Sequence, residues 1–239
     1  MALRSLYVEP ARTKEPVAWP ALECRDVFRI FRSGPVETVA LRGLDVRIEP
    51  GETVAVFGPS GSGKSTFLML AAGLDQPSAG EVRVDGVPLA RLSEGELARY
   101  RARRLAVVFQ SGNLWPAASV RENVLATLRL AGTDDARRKA DDALAGFGLV
   151  GREQERAGAL SGGEQQRVAI AAAAARRAPL VLADEPTAEL DEHNEQLVLA
   201  ALLHLRSEHG ASVVVVTHSE RVAEAVDRVI ELRDGRALS

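Results

Sequence analysis

Gly58-Pro59-Ser60-Gly61-Ser62-Gly63-Lys64-Ser65-Thr66 joins three glycines to a lysine and four hydroxyl residues, and its first eight positions fit G-x-x-x-x-G-K-[ST]. Glycines let backbone N–H groups close around an anion, Lys64 reaches β and γ phosphates, and the Ser65 hydroxyl suits magnesium. A second set ends "LVLADEP", where Asp184 can hold magnesium directly or through water and Glu185 can polarise an attacking water. A third is "LSGGEQQR": Ser161 and Glu164 form an S-x-x-E capping box, so a helix starts there with Gly162 and Gly163 exposing N–H groups at its positive end. That start suits a second anion, although the residues alone also allow an ordinary capped helix.

These groups need a frame that brings them together. "TVAVF" (Thr53 to Phe57), "RLAVVF" (Arg104 to Phe109), "LVLA" (Leu180 to Ala183) and "SVVVV" (Ser212 to Val216) are continuous apolar runs. Such runs are strands buried on both faces of a parallel sheet, with helices between them. Each is followed by a polar set: the glycine loop, Gln110, Asp184-Glu185 and Thr217-His218. Ligands bind beyond the carboxyl ends of parallel strands, so the four sets are expected in one crevice. Alternating segments from Ala21 to about Pro50, and "GEVRVDGVPL" with its Asp85-Gly86 turn, predict a separate antiparallel sheet. "SVRENVLATLRLA" and "DDARRKADDALAGF" predict helices, and "EQQRVAIAAAAARR" a third that ends at Arg176, Arg177 and Pro179.

The chain has 239 residues, 46% hydrophobic and 26% charged, which is the composition of a globular protein with a sizeable core. A net charge of -3 gives no electrostatic reason to expect a nucleic-acid partner, and the run Arg99, Arg101, Arg103, Arg104 reads as a solvated surface. Cys24 is the single cysteine and reads as a small buried hydrophobe. "VAIAAAAA" and "VVVV" are far shorter than the ~20 apolar residues of a membrane span. Residues 1–20 mix charges with three prolines and are expected to be a loosely ordered extension without a signal-peptide core, ahead of one domain over 21–239 with a helical part at about 111–178.

"LSGGEQQR", "GPSGSGKST", Gln110, "LVLADEP" and His218, in chain order, resemble the nucleotide-binding subunit of an ATP-binding-cassette (ABC) transporter, over about Ala21 to Gly235. The resemblance implies a P-loop core with antiparallel and helical parts, ATP and magnesium as ligands, and a second copy or homologous cassette packed head to tail around a pair of ATP molecules. It makes Gly58 to Thr66 the Walker A loop and Gln110 a ligand of magnesium that senses the permease. Ser161, Gly162 and Gly163 then hold the opposing γ-phosphate, and Asp184 supports the metal. Glu185 is the base, Asp191 the D-loop aspartate, His218 the switch histidine, and Phe31, with Phe28 as rival, the aromatic on adenine. His193, His204 and His209 read as surface residues.

The D-loop departs from the family pattern as "TAELD", which puts Glu189 near the expected subunit interface, and "AIAAAAARRAP" lacks the usual arginine and leucine. "ALRGLDVRIEPGE", "AGLDQPSAGEVRVDG" and "LWPAASVRENV" are most similar to the lipoprotein-release and macrolide-export branch. That branch implies a separate membrane permease docked at Trp115, a residue that equally reads as core; it also implies export and a cytoplasmic position on the inner face of the cell membrane. A non-transport scaffold of the division-apparatus type would carry nearly the same residues.

Overall fold

The computed structural model describes residues 19–238. Most of the expected N-terminal extension therefore lies outside the described residues. Trp19 stacks over Gly86, where an added Cβ would lie 2.4 Å from the indole.

In chain order the elements are β1 (Leu22–Ser33), β2 (Val36–Ile48), β3 (Thr53–Phe57), α1 (Lys64–Ala71), β4 (Ala79–Val84), β5 (Val87–Pro88), α2 (Glu94–Arg104) and β6 (Leu105–Val108). Then follow α3 (Val120–Ala131), α4 (Ala136–Gly146), α5 (Gly162–Arg176), β7 (Leu180–Asp184), α6 (Glu192–His209), β8 (Ser212–Thr217), α7 (Glu220–Glu224), β9 (Arg228–Arg233) and β10 (Arg236–Leu238).

The apolar runs form a six-stranded sheet, order β10-β9-β3-β8-β7-β6, parallel except for β10. Alternate residues of its strands enter two cores. Val181, Ala183, Val213 and Val215 pack with α3, α4, α5 and α6, whereas Leu180, Leu182, Val214 and Val216 pack with α1, β1, β2 and β4. Each fully buried Val or Leu stabilises this sandwich by about 1.5–3 kcal/mol. The second sheet is antiparallel, order β2-β1-β4-β5, and Asp85 and Gly86 turn β4 into β5 with φ of 47° and 77°. Positive φ at both positions is the type I′ geometry expected of Asp-Gly. The predicted fold class is thus the observed one. β9 has no counterpart among the predicted strands, because three of its six residues are charged and its longest apolar run is the pair Val229-Ile230.

Cys24 is buried, and burial with Asp45 and Glu23 nearby pushes its thiol up to about 12, so it behaves as an apolar filler. The basic run divides: Arg99 and Arg103 are exposed, but Arg101 donates to the Gly73 carbonyl at 2.6 Å and Arg104 pairs with Asp85 at 2.5 Å. Half of the run thus joins α2 to neighbouring turns. Among the described residues no helix is long and apolar enough to cross a membrane.

Asp227 fastens the entry to β9. Its Oδ2 accepts from Thr53 N at 2.9 Å and Thr53 Oγ1 at 2.6 Å, and its Oδ1 accepts from Arg206 at 2.7 Å. The Thr53 hydrogen bonds, helped by Arg206, hold this carboxyl below its ordinary range. Its contribution is therefore present above the unfolded carboxyl's pKa of about 3.9 and lost as pH falls through the lower folded value. Asp227→Ala should lower the melting temperature by about 2–4 °C at neutral pH, the effect of ~1 kcal/mol in a domain this size. In melts from pH 7 downward the gap should stay constant to about pH 5 and narrow only below about pH 4.

Candidate functional site

The chain leaves β3 at Phe57 and turns through Gly58 to Gly63, with Ser62 N donating to Pro59 O at 3.2 Å. Gly61 (φ 80°) and Gly63 (φ 104°) take the backbone through regions closed to most side chains, and Gly63 caps α1. Two contacts brace the loop from outside. A Cβ on Gly58 would lie 2.1 Å from Leu232 O in β9, and one on Gly63 would lie 2.6 Å from Ala40 O in β2. Gly235, in the turn between β9 and β10, donates to Ser62 O at 3.0 Å and accepts from Arg42 N at 2.9 Å.

Lys64 is 8% exposed and donates to Gly58 O at 2.8 Å and Pro59 O at 3.1 Å, so its ammonium lies along the loop. Pro59, Ser60 and Ser65 are exposed and Thr66 is half-buried. Ser62 Oγ is buried with no hydrogen-bond partner among the described residues, a spare polar group inside the cradle.

The other strand ends converge here. Ser65 Oγ donates to Asp184 Oδ1 at 3.2 Å. Burial raises the Asp184 carboxyl above its ordinary value; the Ser65 hydrogen bond opposes this, Glu185 adds to it and Lys64 opposes it. Glu185 sits just past β7 with φ 46°, a left-handed backbone held by Glu185 N donating to Val216 O at 2.9 Å. Its Oε1 lies 2.8 Å from His218 Nδ1 and 4.0 Å from Lys64 Nζ. An ionised carboxylate only accepts, so Nδ1 carries the proton and the other ring nitrogen of this exposed histidine faces away from Glu185.

Gln110 follows β6, and its Nε2 donates to Glu189 Oε1 at 3.0 Å. Its backbone is tied to α5, because the buried Gln166 donates to Phe109 O at 2.9 Å and Gln110 O at 2.6 Å. Asn113 completes this tie, accepting from Phe109 N at 2.7 Å and donating to Gln166 Oε1 at 3.0 Å. The signature residues alone did not single out Gln166. The available clue was its place four residues before Ile170, on the buried face of α5.

Ser161 caps α5: its Oγ accepts from Glu164 N at 3.3 Å, and its own N donates to Glu164 Oε2 at 2.9 Å. The N–H groups of Gly162 and Gly163 belong to the first turn and have no intrahelical acceptor. Gly162 is exposed, while a Cβ on Gly163 would lie 2.6 Å from Asn194 Oδ1. The absent side chain at Gly163 is thus required by packing against α6. Asp191 caps α6, accepting from Asn194 N at 2.9 Å and Asn194 Nδ2 at 2.8 Å, and these bonds hold its carboxyl below the ordinary range.

Phe31 lies on β1, 43% exposed, with the Arg29 guanidinium 4.5 Å from its ring centre. Phe28 is half-buried against Gly43. His193, His204 and His209 are exposed, and His204 meets Phe147 edge-on at 5.6 Å.

For a cation, the nearest donors are the Ser65 hydroxyl and the Asp184 carboxylate, both oxygen. Among the described residues no group of three or more His, Cys, Asp or Glu could hold a metal. That combination fits magnesium, which takes one or two protein oxygens and fills its shell with water and phosphate.

A phosphate cradle at the end of a parallel strand, with a serine from the helix that follows it and two acids and a histidine from adjacent strand ends, defines a P-loop nucleotide-binding protein. The sequence profile of the ABC transporter family matches residues 41–188. The lipoprotein-releasing system ATP-binding protein LolD of Anaeromyxobacter dehalogenans is 43% identical over 228 residues, covering 94% of this chain and 95% of that protein. The macrolide export ATP-binding/permease protein MacB of Azoarcus sp. is 41% identical over 232 residues, covering 96% of this chain but 35% of that longer protein. A dimeric ATP-binding cassette solved in a post-hydrolysis state with ADP and Pi superposes with a TM-score of 0.84 at 36% identity, over 91% of this chain and 97% of that one.

The chain belongs to the ABC transporter family. Within it, this protein is an ATP-binding, ATP-hydrolysing cassette similar to the export-type subunits just described.

Proposed function

We propose that this chain works as one half of a head-to-tail pair, holding ATP and magnesium in its own crevice and covering the partner's nucleotide with α5. The observation that carries this reading is the convergence of Lys64, Ser65, Asp184, Glu185 and His218 at the strand ends, beside an α5 start whose first N–H groups lack intrahelical acceptors. The relative solved as a dimer supports the pairing.

In this reading Gly58, Pro59, Ser60, Gly61, Ser62, Gly63 and Thr66 enclose the phosphates, and Lys64 offsets their charge. Ser65, Asp184 and Gln110 hold magnesium, which when bound neutralises charge on the phosphates. Glu185 takes the proton from water as the oxygen attacks the γ-phosphorus and the bond to the β–γ bridging oxygen breaks; ADP and inorganic phosphate leave. His218 holds the Glu185 carboxylate through Nδ1, and Phe31 stacks on adenine. Ser161, Gly162 and Gly163 meet the opposite γ-phosphate, and Asp191 sits between the two sites.

The pair drives a membrane permease, for export, from the cytoplasmic face. The lipoprotein-releasing and macrolide-export relatives support that direction. Trp115 supplies a docking point: it is 62% exposed, while buried Asn123 accepts from its backbone N at 2.7 Å and donates to its carbonyl at 3.2 Å. A fixed backbone thus presents a free indole, the side chain most enriched at binding hot spots. Trp115→Ala should weaken binding to native membranes about tenfold or more while leaving ATP hydrolysis by the isolated chain within about twofold. Quantifying tagged chain on washed membranes against total chain tests this, and equal recovery of both forms would exclude Trp115 as the docking point.

A further inference from the structure

The reading above gives Gln110 a side-chain oxygen for magnesium, and what orients that side chain is open. Its main chain has little freedom, because Gln166 and Asn113 hold the Phe109 N–H and the carbonyls of Phe109 and Gln110. The remaining choice is which end of the amide faces the crevice. Only Oε1 can bind a cation, since Nε2 is purely a donor.

We infer that Glu189 is the positioning residue that makes this choice. Its carboxylate accepts from Gln110 Nε2 at 3.0 Å. A carboxylate has no proton to offer Oε1, so the contact permits one amide orientation, with Nε2 on Glu189 and Oε1 turned away. The turn that carries Glu189 is itself anchored. Ala188 N donates to Glu185 O at 3.2 Å, Leu190 N donates to Thr187 O at 3.1 Å, and Glu185 N bonds Val216 O in β8.

Gln110 and Glu189 line one cavity of about 230 Å³ together with Gly162, Gln165, Gln166 and Glu185. The contact therefore spans the space between the start of α5 and the acid pair at the end of β7. The departure at "TAELD" thus acquires a local task within one chain, separate from any contact across the pair.

This inference rests on Gln110 reaching magnesium, and the test separates the two ideas. Binding of a non-hydrolysable ATP analogue is measured by calorimetry with magnesium and with EDTA, and the ratio of the affinities is compared among variants. Gln110→Ala should remove most of the gain that magnesium provides. Glu189→Ala should reduce that gain about fivefold, the worth of one ordinary exposed hydrogen bond. Glu189→Gln should retain only part of it, since its amide oxygen still accepts from Nε2 but its NH2 can also donate to Oε1 and so admits the opposite orientation. Glu189→Ala should add nothing once Gln110 is alanine. Unchanged magnesium dependence in Glu189→Ala, or equal losses in Glu189→Ala and Glu189→Gln, would overturn the positioning role and leave Gln110 as a ligand. An unaltered ratio in Gln110→Ala would overturn the ligand reading and the inference with it.

Discussion

Glu185→Gln is expected to bind ATP with affinity within about threefold of the parent, lose hydrolysis by at least about a hundredfold, and accumulate as a nucleotide-bound dimer. Gln has nearly the shape of Glu, and its side-chain oxygen can still accept from His218 Nδ1, so the 2.8 Å contact survives. The left-handed backbone at φ 46° also carries a side chain of the same branching, so no new strain enters. What disappears is the capacity to take a proton, which general-base substitutions typically show as a loss of 10²–10⁴. Lys64, 4.0 Å away, loses an opposing charge, which favours phosphate in the crevice. Hydrolysis by phosphate release, and mass by light scattering with magnesium and ATP, read the two effects separately. Parental turnover in this variant would remove Glu185 from the role of base.

Ser161→Arg is expected to abolish the ATP-dependent dimer while ATP still binds the monomer. Two effects follow from the substitution, and magnitude separates them. Loss of the cap on Glu164 N costs about 1 kcal/mol, which lowers the melting temperature by a few degrees and leaves the chain folded. Covering the Gly162 and Gly163 N–H groups with a long side chain acts only where a second copy must approach them closely. Ser161→Ala is the control: it removes the same cap without adding bulk and should retain the dimer. Sedimentation with ATP resolves the three forms, and an unchanged dimer in Ser161→Arg would exclude α5 as the cover of a partner's nucleotide.

What could be read from residues alone follows from where each signal resides. β3 begins and ends where its apolar run does, and β7 and β8 extend only one residue beyond theirs, because burial on both faces confines polar residues to the strand ends. β9 obeys a different constraint at its place beside β3: it buries Ile230 and Leu232 and exposes Arg228, Glu231 and Arg233, so it reads as a surface strand. The α5 start was legible because Ser161 and Glu164 satisfy each other three residues apart. Gly163 was legible as a glycine, but its reason, the approach of Asn194 from α6, depends on a contact remote in sequence. The same holds for the Glu189 partner of Gln110 and for the left-handed turn at Glu185, since neither follows from its neighbours along the chain.

The braces on the phosphate loop tie function to the order of synthesis. Residues 58–66 leave the ribosome early, yet Leu232 O seats against Gly58 and Gly235 N bonds Ser62 O only after nearly all of the domain has followed. A nascent chain thus carries its nucleotide-binding residues long before it can lock them in shape. The cradle is fully braced only with the closing hairpin, so fragments cut short by failed translation or proteolysis would lack those two supports of the phosphate loop.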